Sequence, residues 1–311
     1  MSFSSGVKQE LYRHIGTQRH CQVAELAAIL HFCGCPGQPD VGYFLQIRSE
    51  NGLVVRKSFT LLQKAFKMSE GVEVCKAGSG GYALRVRDGD LAGKILRDTG
   101  LLRTDGSFWQ DFSEAPIADA VVQDVCCKRA FIRGAFLSAG SVSDPQKGYH
   151  LEIVCSRMEQ ASQLQALLSE FEIEARIVTR KKYYVVYLKE GAGIADLLNV
   201  AEAHVALMDF ENSRVVRDVR NAVNRRVNCE TANITKTVTA ASRQVEDILL
   251  LQEKYGLERL PDGLRQMAQV RLEYPDAPLK ELGGYLDPPV GKSGVNHRLR
   301  KLSELADRIR E

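Results

Sequence analysis

Asn296, His297, Arg300 and Lys301 fall on one side of a helical stretch near the end of the chain, with Arg298 at its flank and Lys292 and Ser293 ahead of it. These residue types suit the edges and backbone of a nucleic-acid duplex. Arginine forks onto guanine, asparagine pairs with adenine, and lysine neutralises phosphate. The expected assignment puts Asn296, His297 and Arg300 on bases, and Lys292, Arg298 and Lys301 on phosphates, where they fix register without reading sequence. Ser293 is expected to cap the helix. The other side repeats Val295, Leu299, Leu302, Leu305 and Ile309 at spacings of three and four, a stripe that needs burial. A helical bundle with a basic outer face would carry the same pattern.

Little else in the sequence offers chemistry. The motifs G-x-S-x-G, H-E-x-x-H and G-x-G-x-x-G are missing, so no catalytic residue is named. Gly291-Lys292-Ser293 lacks the earlier glycine and the preceding strand of a phosphate loop. The eight cysteines include no C-x-x-C pair, and Cys33 and Cys35 stand too close to read as half of a zinc pattern. We therefore expect free thiols, no metal, no cofactor and no small-molecule substrate. No run of about 18 apolar residues exists, and the first residues turn charged too early for a signal peptide, so the expected location is the reducing cytoplasm, without membrane partners.

The elements that must position these residues fall into three segments. In the first, Val23–Phe32 reads as an apolar helix ending in the breaker run Gly34–Gly37. Tyr43–Ile47 and Leu53–Lys57 read as strands joined at Asn51-Gly52, and Ser58–Phe66 as a helix. A second hairpin, Val72–Cys75 with Tyr82–Val86, turns around Gly78–Gly81, and Leu91–Thr99 closes with a helix. The order then recurs about 106 residues on: helix Val121–Ala139, strand Leu151–Cys155, helix Met158–Glu170, strands Ala175–Val178 and Tyr183–Leu188, helix Ile194–Val200. Such recurrence implies a pseudo-symmetric pair of units. Beyond Asn212 the strand signals vanish, and helices are expected at Thr235–Tyr255, Leu264–Tyr274, Pro278–Leu286 and Gly294–Ile309. Consecutive short helices of this kind follow the helix-turn-helix plan, although the connection from Leu286 to Lys292 exceeds the usual turn.

Charge follows the same division. Residues 212–311 hold 18 Lys+Arg against 14 Asp+Glu, and the rest of the chain 24 against 25. The stretch 212–244 has seven basic and two acidic residues, which hints at a polyanion partner for the last third. Arg225 and Arg226 are phosphate candidates there, with a capped helix end as the alternative. In the second repeat Arg180, Lys181 and Lys182 precede Tyr183, Tyr184 and Tyr187, a set that fits either nucleic acid or half-buried strand packing.

Leu26–Gly34 overlays on Ile132–Gly140, both small-rich, apolar and ended by glycine. This resembles the LAGLIDADG motif of homing endonucleases, in which two such helices pack at a pseudo-twofold axis and the acidic residue before each final glycine binds the catalytic metal. Those positions are Cys33 and Ala139 here, so neither supplies a carboxylate for the hard cation that phosphodiester hydrolysis needs. The runs Arg129–Gly140, Arg217–Asn233, Leu279–Gly283 and Gly291–Lys301 further resemble the WhiA family, in order along nearly the whole chain. The resemblance implies an α/β (α+β) domain of two LAGLIDADG-like repeats with antiparallel sheets (1–118 and 119–211), a linker (212–234), and an all-α helix-turn-helix domain like region four of sigma factors (235–311). It implies a DNA-binding transcription regulator without nuclease activity, tied to sporulation, cell division and chromosome segregation, working on double-stranded DNA in the cytoplasm at the nucleoid. A protein partner on the LAGLIDADG-like domain is open, as is the alternative of a nucleoid-associated or adaptor protein.

Overall fold

The computed structural model describes residues 2–310 apart from 69, 78, 79, 104 and 108, and the chain divides into two compact units, 1–218 and 219–311. The first unit opens with α1 (Phe3–Arg13) and α2 (Arg19–Cys33), followed by β1 (Gly34–Gln38), β2 (Tyr43–Ser49), α3 (Gly52–Phe66), β3 (Val72–Lys76), β4 (Tyr82–Val86) and α4 (Gly89–Asp98). The second copy runs α5 (Val125–Ala139), β5 (Gly140–Val142), β6 (Leu151–Cys155), α6 (Met158–Ser169), β7 (Arg176–Arg180), β8 (Tyr183–Leu188) and α7 (Gly191–Val200). The sheets have one topology twice, β1-β2-β4-β3 and β5-β6-β8-β7, with every pair antiparallel. The repeat read from the sequence is thus a repeat of connectivity.

The two repeats join through α2 and α5. Every residue of α2 from Cys21 to His31 is buried, and so is Ala130–Leu137 of α5, as expected of helices apolar on all sides. Small residues let the backbones approach. A Cβ on Gly134 would lie 2.6 Å from the Glu25 carbonyl oxygen and 2.9 Å from Ala28 Cβ. Within this dry contact Glu25 meets Lys57 Nζ at 2.5 Å and accepts from Arg133 Nε and Nη2 at 3.1 and 3.3 Å. Arg133 also pairs with Glu202, which reaches His14 Nε2 at 2.9 Å. Charges this deep persist because they are paired.

Three expectations need correction. Leu53–Lys57 is not a strand but the start of α3, and Asn51 is its N-cap, its side-chain oxygen accepting from Leu53 N–H at 3.0 Å. Asn-Gly serves a hairpin turn and a helix start equally, and the apolar positions Val54, Val55, Leu61, Leu62, Ala65 and Phe66 bury a helical face. The breaker run Gly34–Gly37 lies in strand β1, at the sheet edge, the place in a sheet where proline is tolerated. The helix expected at Thr235–Tyr255 starts earlier, as α8 (His204–Lys254), so the segment 212–234 is helical as well. Of the expected Gly78–Gly81 turn, Gly78 and Ser79 lie outside the described residues.

In the second unit the later part of α8 joins α9 (Asp262–Glu273), α10 (Leu279–Gly284) and α11 (Lys292–Arg310) around a core of its own, with Ile248, Leu251, Met267, Leu282, Val295, Leu299 and Leu302 buried. Among the described residues no helix is long and apolar enough to cross a membrane.

Candidate nucleic-acid interface

Helix α11 begins at Lys292, where the Gly291 carbonyl accepts the Val295 N–H at 3.1 Å. Ser293, expected as the cap, is therefore the second helical residue. Val295, Leu299 and Leu302 are buried, while Leu305 and Ile309 are half-buried, so the inner stripe holds. Lys292, Ser293, Asn296, His297, Arg300 and Lys301 are all exposed. At about 100° per residue they span roughly half the helix circumference, facing away from the core. The fold therefore brings these six together on one surface.

The elements behind α11 explain its presentation. Residues 285–291 connect α10 to α11, a longer link than the common helix-turn-helix turn. It is pinned by Val290 N–H donating to the Gly283 carbonyl at 2.9 Å, and a Cβ on Gly283 would lie 1.9 Å from the Val290 carbonyl oxygen. Arg271, buried in α9, donates Nε and Nη2 to Gln244 Oε1 at 3.0 and 2.8 Å and Nη1 to the Ala277 carbonyl at 2.7 Å, tying α8, α9 and the approach to α10 together. Arg310 on α11 meets buried Asp247 of α8 at 2.6 Å. Sequence reading missed Arg271 because a buried arginine has no periodic signature.

The remaining expected residues differ in their freedom. Arg298 is half-buried and donates Nη1 to the Gly263 carbonyl at 3.2 Å, so it braces α11 on α9. Arg300 pairs with Glu304 at 3.0 Å, and Arg226 with Glu230 at 3.0 Å, both exposed. Exposed pairs one turn apart are weak and exchange readily for a phosphate or base. Arg225 and Arg226 stand on the stretch 221–240 of α8, exposed at every residue, and not on α9–α11.

In the first unit Cys33 and Ala139 are the last residues of α2 and α5. Burial pushes the Cys33 thiol up to about 11, while hydrogen bonds with Ser138 and Ser49 and the charge of Lys8 pull the other way. A thiol, a methyl and an ammonium are poor company for Mg²⁺, which takes hard oxygen ligands. On β7 and β8, Arg180 and Tyr183 are exposed, and Tyr184 and Tyr187 are half-buried. Arg180 is held by Glu152 at 3.2 Å, so this sheet face carries both signs of charge.

One group escaped the sequence analysis. His20 and Cys21 in the first turn of α2 meet Cys126 and Cys127 in the first turn of α5, with their ligand atoms all within 4.8 Å of one another. No metal site was expected, because the pairs lie 106 residues apart and neither is a pattern alone. That offset is the offset of the repeat, which was the signal available.

Comparison with known proteins follows the same three segments. The chain matches the WhiA N-terminal LAGLIDADG-like domain over residues 19–102, the WhiA LAGLIDADG-like domain over 128–220, and the WhiA C-terminal HTH domain over 223–306. It is 49% identical over 316 residues to a probable cell division protein WhiA of Lachnoclostridium phytofermentans, covering all of both chains. The corresponding protein of Alkaliphilus metalliredigens is 44% identical over 318 residues, covering 100% of this chain and 99% of that one. The crystal structure of full-length DUF199/WhiA from Thermatoga maritima matches with a TM-score of 0.57 at 26% identity, covering 99% of each chain. With three successive domains matched in order and relatives aligned along its full length, the chain belongs to the WhiA family.

Proposed function

We propose that this protein is a sequence-specific DNA-binding transcription regulator without nuclease activity. The observation that carries the reading is the exposed set Lys292, Ser293, Asn296, His297, Arg300 and Lys301 on a helix whose other side is locked into a core. Asn296, His297 and Arg300 read base edges in the major groove. Lys292, Ser293 and Lys301 hold phosphates, with Arg225 and Arg226 as further phosphate contacts. Arg298 keeps one N–H on the Gly263 carbonyl and offers its remaining N–H groups to a phosphate. The working regions are the repeats 1–118 and 119–211, the connecting 212–234 and the helix-turn-helix domain 235–311. The relatives' designation as probable cell division proteins supports a role in division, and the family resemblance extends it to chromosome segregation and sporulation, in the cytoplasm at the nucleoid. The missing carboxylates at Cys33 and Ala139 support the absence of cleavage.

The test is binding to a promoter duplex and a scrambled duplex across a salt series. Affinity falls steeply with salt for both, because counterions are released on phosphate contact, and the promoter stays tighter at each concentration. Arg300→Ala loses about 1–3 kcal/mol of discrimination, while Lys301→Ala weakens both duplexes alike. Equal affinity for the two duplexes overturns specific readout. Nicking of a genomic library with Mg²⁺ or Mn²⁺ overturns the absence of nuclease activity.

A second reading is a nucleoid-associated or adaptor protein that binds broadly and acts through a protein partner. The β5–β8 sheet favours it, since Val178 and Tyr183 are exposed there amid charges of both signs. Genome-wide occupancy separates the two: sharp promoter peaks mean a regulator, diffuse coverage an architectural protein.

A further inference from the structure

The geometry points to a structural Zn²⁺ site of the Cys₃His class, built by His20, Cys21, Cys126 and Cys127, that clamps the N-terminal ends of α2 and α5. His20 Nδ1 lies 3.0 Å from Cys127 Sγ, 3.6 Å from Cys21 Sγ and 4.0 Å from Cys126 Sγ, and no two of the four ligand atoms are more than 4.8 Å apart. Tetrahedral zinc with Zn–S near 2.3 Å and Zn–N near 2.0 Å places its ligands about 3.5–3.8 Å from one another. The observed separations bracket that spacing, so small adjustments close the shell. Three sulfurs and one imidazole select a borderline-soft cation over Mg²⁺ or Ca²⁺.

Elementary electrostatics leads to the same cation. Cys21 and Cys127 are each the third residue of a helix, where the free N–H groups and the helix dipole favour a thiolate. Three crowded thiolates repel one another unless a positive ion sits among them. Binding would exchange up to three thiol protons for one divalent ion, leaving a net charge of −1 on the four-ligand shell. Cys21 and Cys127 are buried, while His20 and Cys126 are exposed, which leaves an entry path.

The site also respects the repeat. His20 and Cys21 are equivalent to Cys126 and Cys127 at the 106-residue offset that aligns Leu26 with Ile132. The ion would therefore sit at the junction of the two halves. Cys33 ends the same helix thirteen residues on, about 20 Å away at 1.5 Å per residue, so the site is separate from the nuclease-like positions. With four protein ligands no coordination position stays open, which makes it a clamp and not a hydrolytic centre.

The experiment uses the full-length chain, reduced, stripped with a chelator and titrated with Co²⁺ alone. We expect one Co²⁺ per chain with the intense visible bands of a tetrahedral site and a thiolate-to-cobalt charge-transfer band, both abolished by Zn²⁺. Cys21→Ser and Cys127→Ser each weaken Co²⁺ binding by about a hundredfold or more. Cys75→Ser and Cys229→Ser leave it unchanged. Zn²⁺ raises the melting temperature of the stripped wild-type chain. Failure of the wild-type chain to give tetrahedral bands overturns the proposal even if the cysteine variants misfold. So do bands that survive in folded Cys21→Ser and Cys127→Ser, or an iron–sulfur chromophore on the same cysteines.

Discussion

Arg133 illustrates what one buried side chain can decide. Its guanidinium donates twice to Glu25 and also meets Glu202, deep between α2 and α5. Burial pulls the Lys57 ammonium below its ordinary value, and the neighbouring Glu25 charge draws it back. Arg133→Met removes one cation and leaves the carboxylates under-partnered, so we expect a loss of about 3–5 kcal/mol in urea denaturation. Replacing the buried set together, Arg133→Met/Glu25→Met/Lys57→Met, should recover part of it, because apolar replacement of a whole buried charge cluster is far milder than breaking it. His31 gives a pH signature. Burial holds its pKa at about 4, below the ordinary 6.5, so the unfolded chain takes the proton first. This contribution to stability is constant above pH 6.5 and is lost as pH falls from 6.5 towards 4, with a slope of up to about 1.4 kcal/mol per unit. His31→Gln should remove that part of the slope in melts recorded against pH.

Among the elements, the α10–α11 connection is the most exacting. Gly283 lies under the Val290 carbonyl, which belongs to the backbone and cannot swing aside. Gly283→Ala should therefore cost about 2 kcal/mol or more of the second unit's stability and weaken DNA binding, read by melting and by gel shift. The elements legible in the sequence were those with an apolar run or a clear period. α2 and α5 showed as apolar runs stopped at Gly34 and Gly140, α6 and α11 as helical apolar spacing, and β2 as strand alternation. The first turn of α3 was hidden because Asn51-Gly52 begins a helix as readily as it turns a hairpin. β1 was hidden because Gly34, Pro36 and Gly37 are breakers everywhere but at an edge. The middle of α8 was hidden because it is exposed all round, and a helix with no buried side leaves no stripe to read. On α11 the outward residues could be read from the inward ones, whereas the braced state of Arg298 depends on a carbonyl 35 residues away.

Across the whole molecule, family membership was legible because long literal runs spread over the chain, while the four-ligand cluster needed the two halves to be superposed. The halves are alike in topology yet unlike where they touch. At the 106-residue offset, Phe131 stands in place of Glu25 and Ala27 in place of Arg133. If the first half met a second copy of itself, Glu25 would face alanine and lose two hydrogen bonds. If the second half did so, Arg133 would face phenylalanine. The cross-repeat ion pair thus discriminates against homodimers of either half, so that fragments 1–118 and 119–211, expressed apart and mixed, would favour assembling as unlike partners.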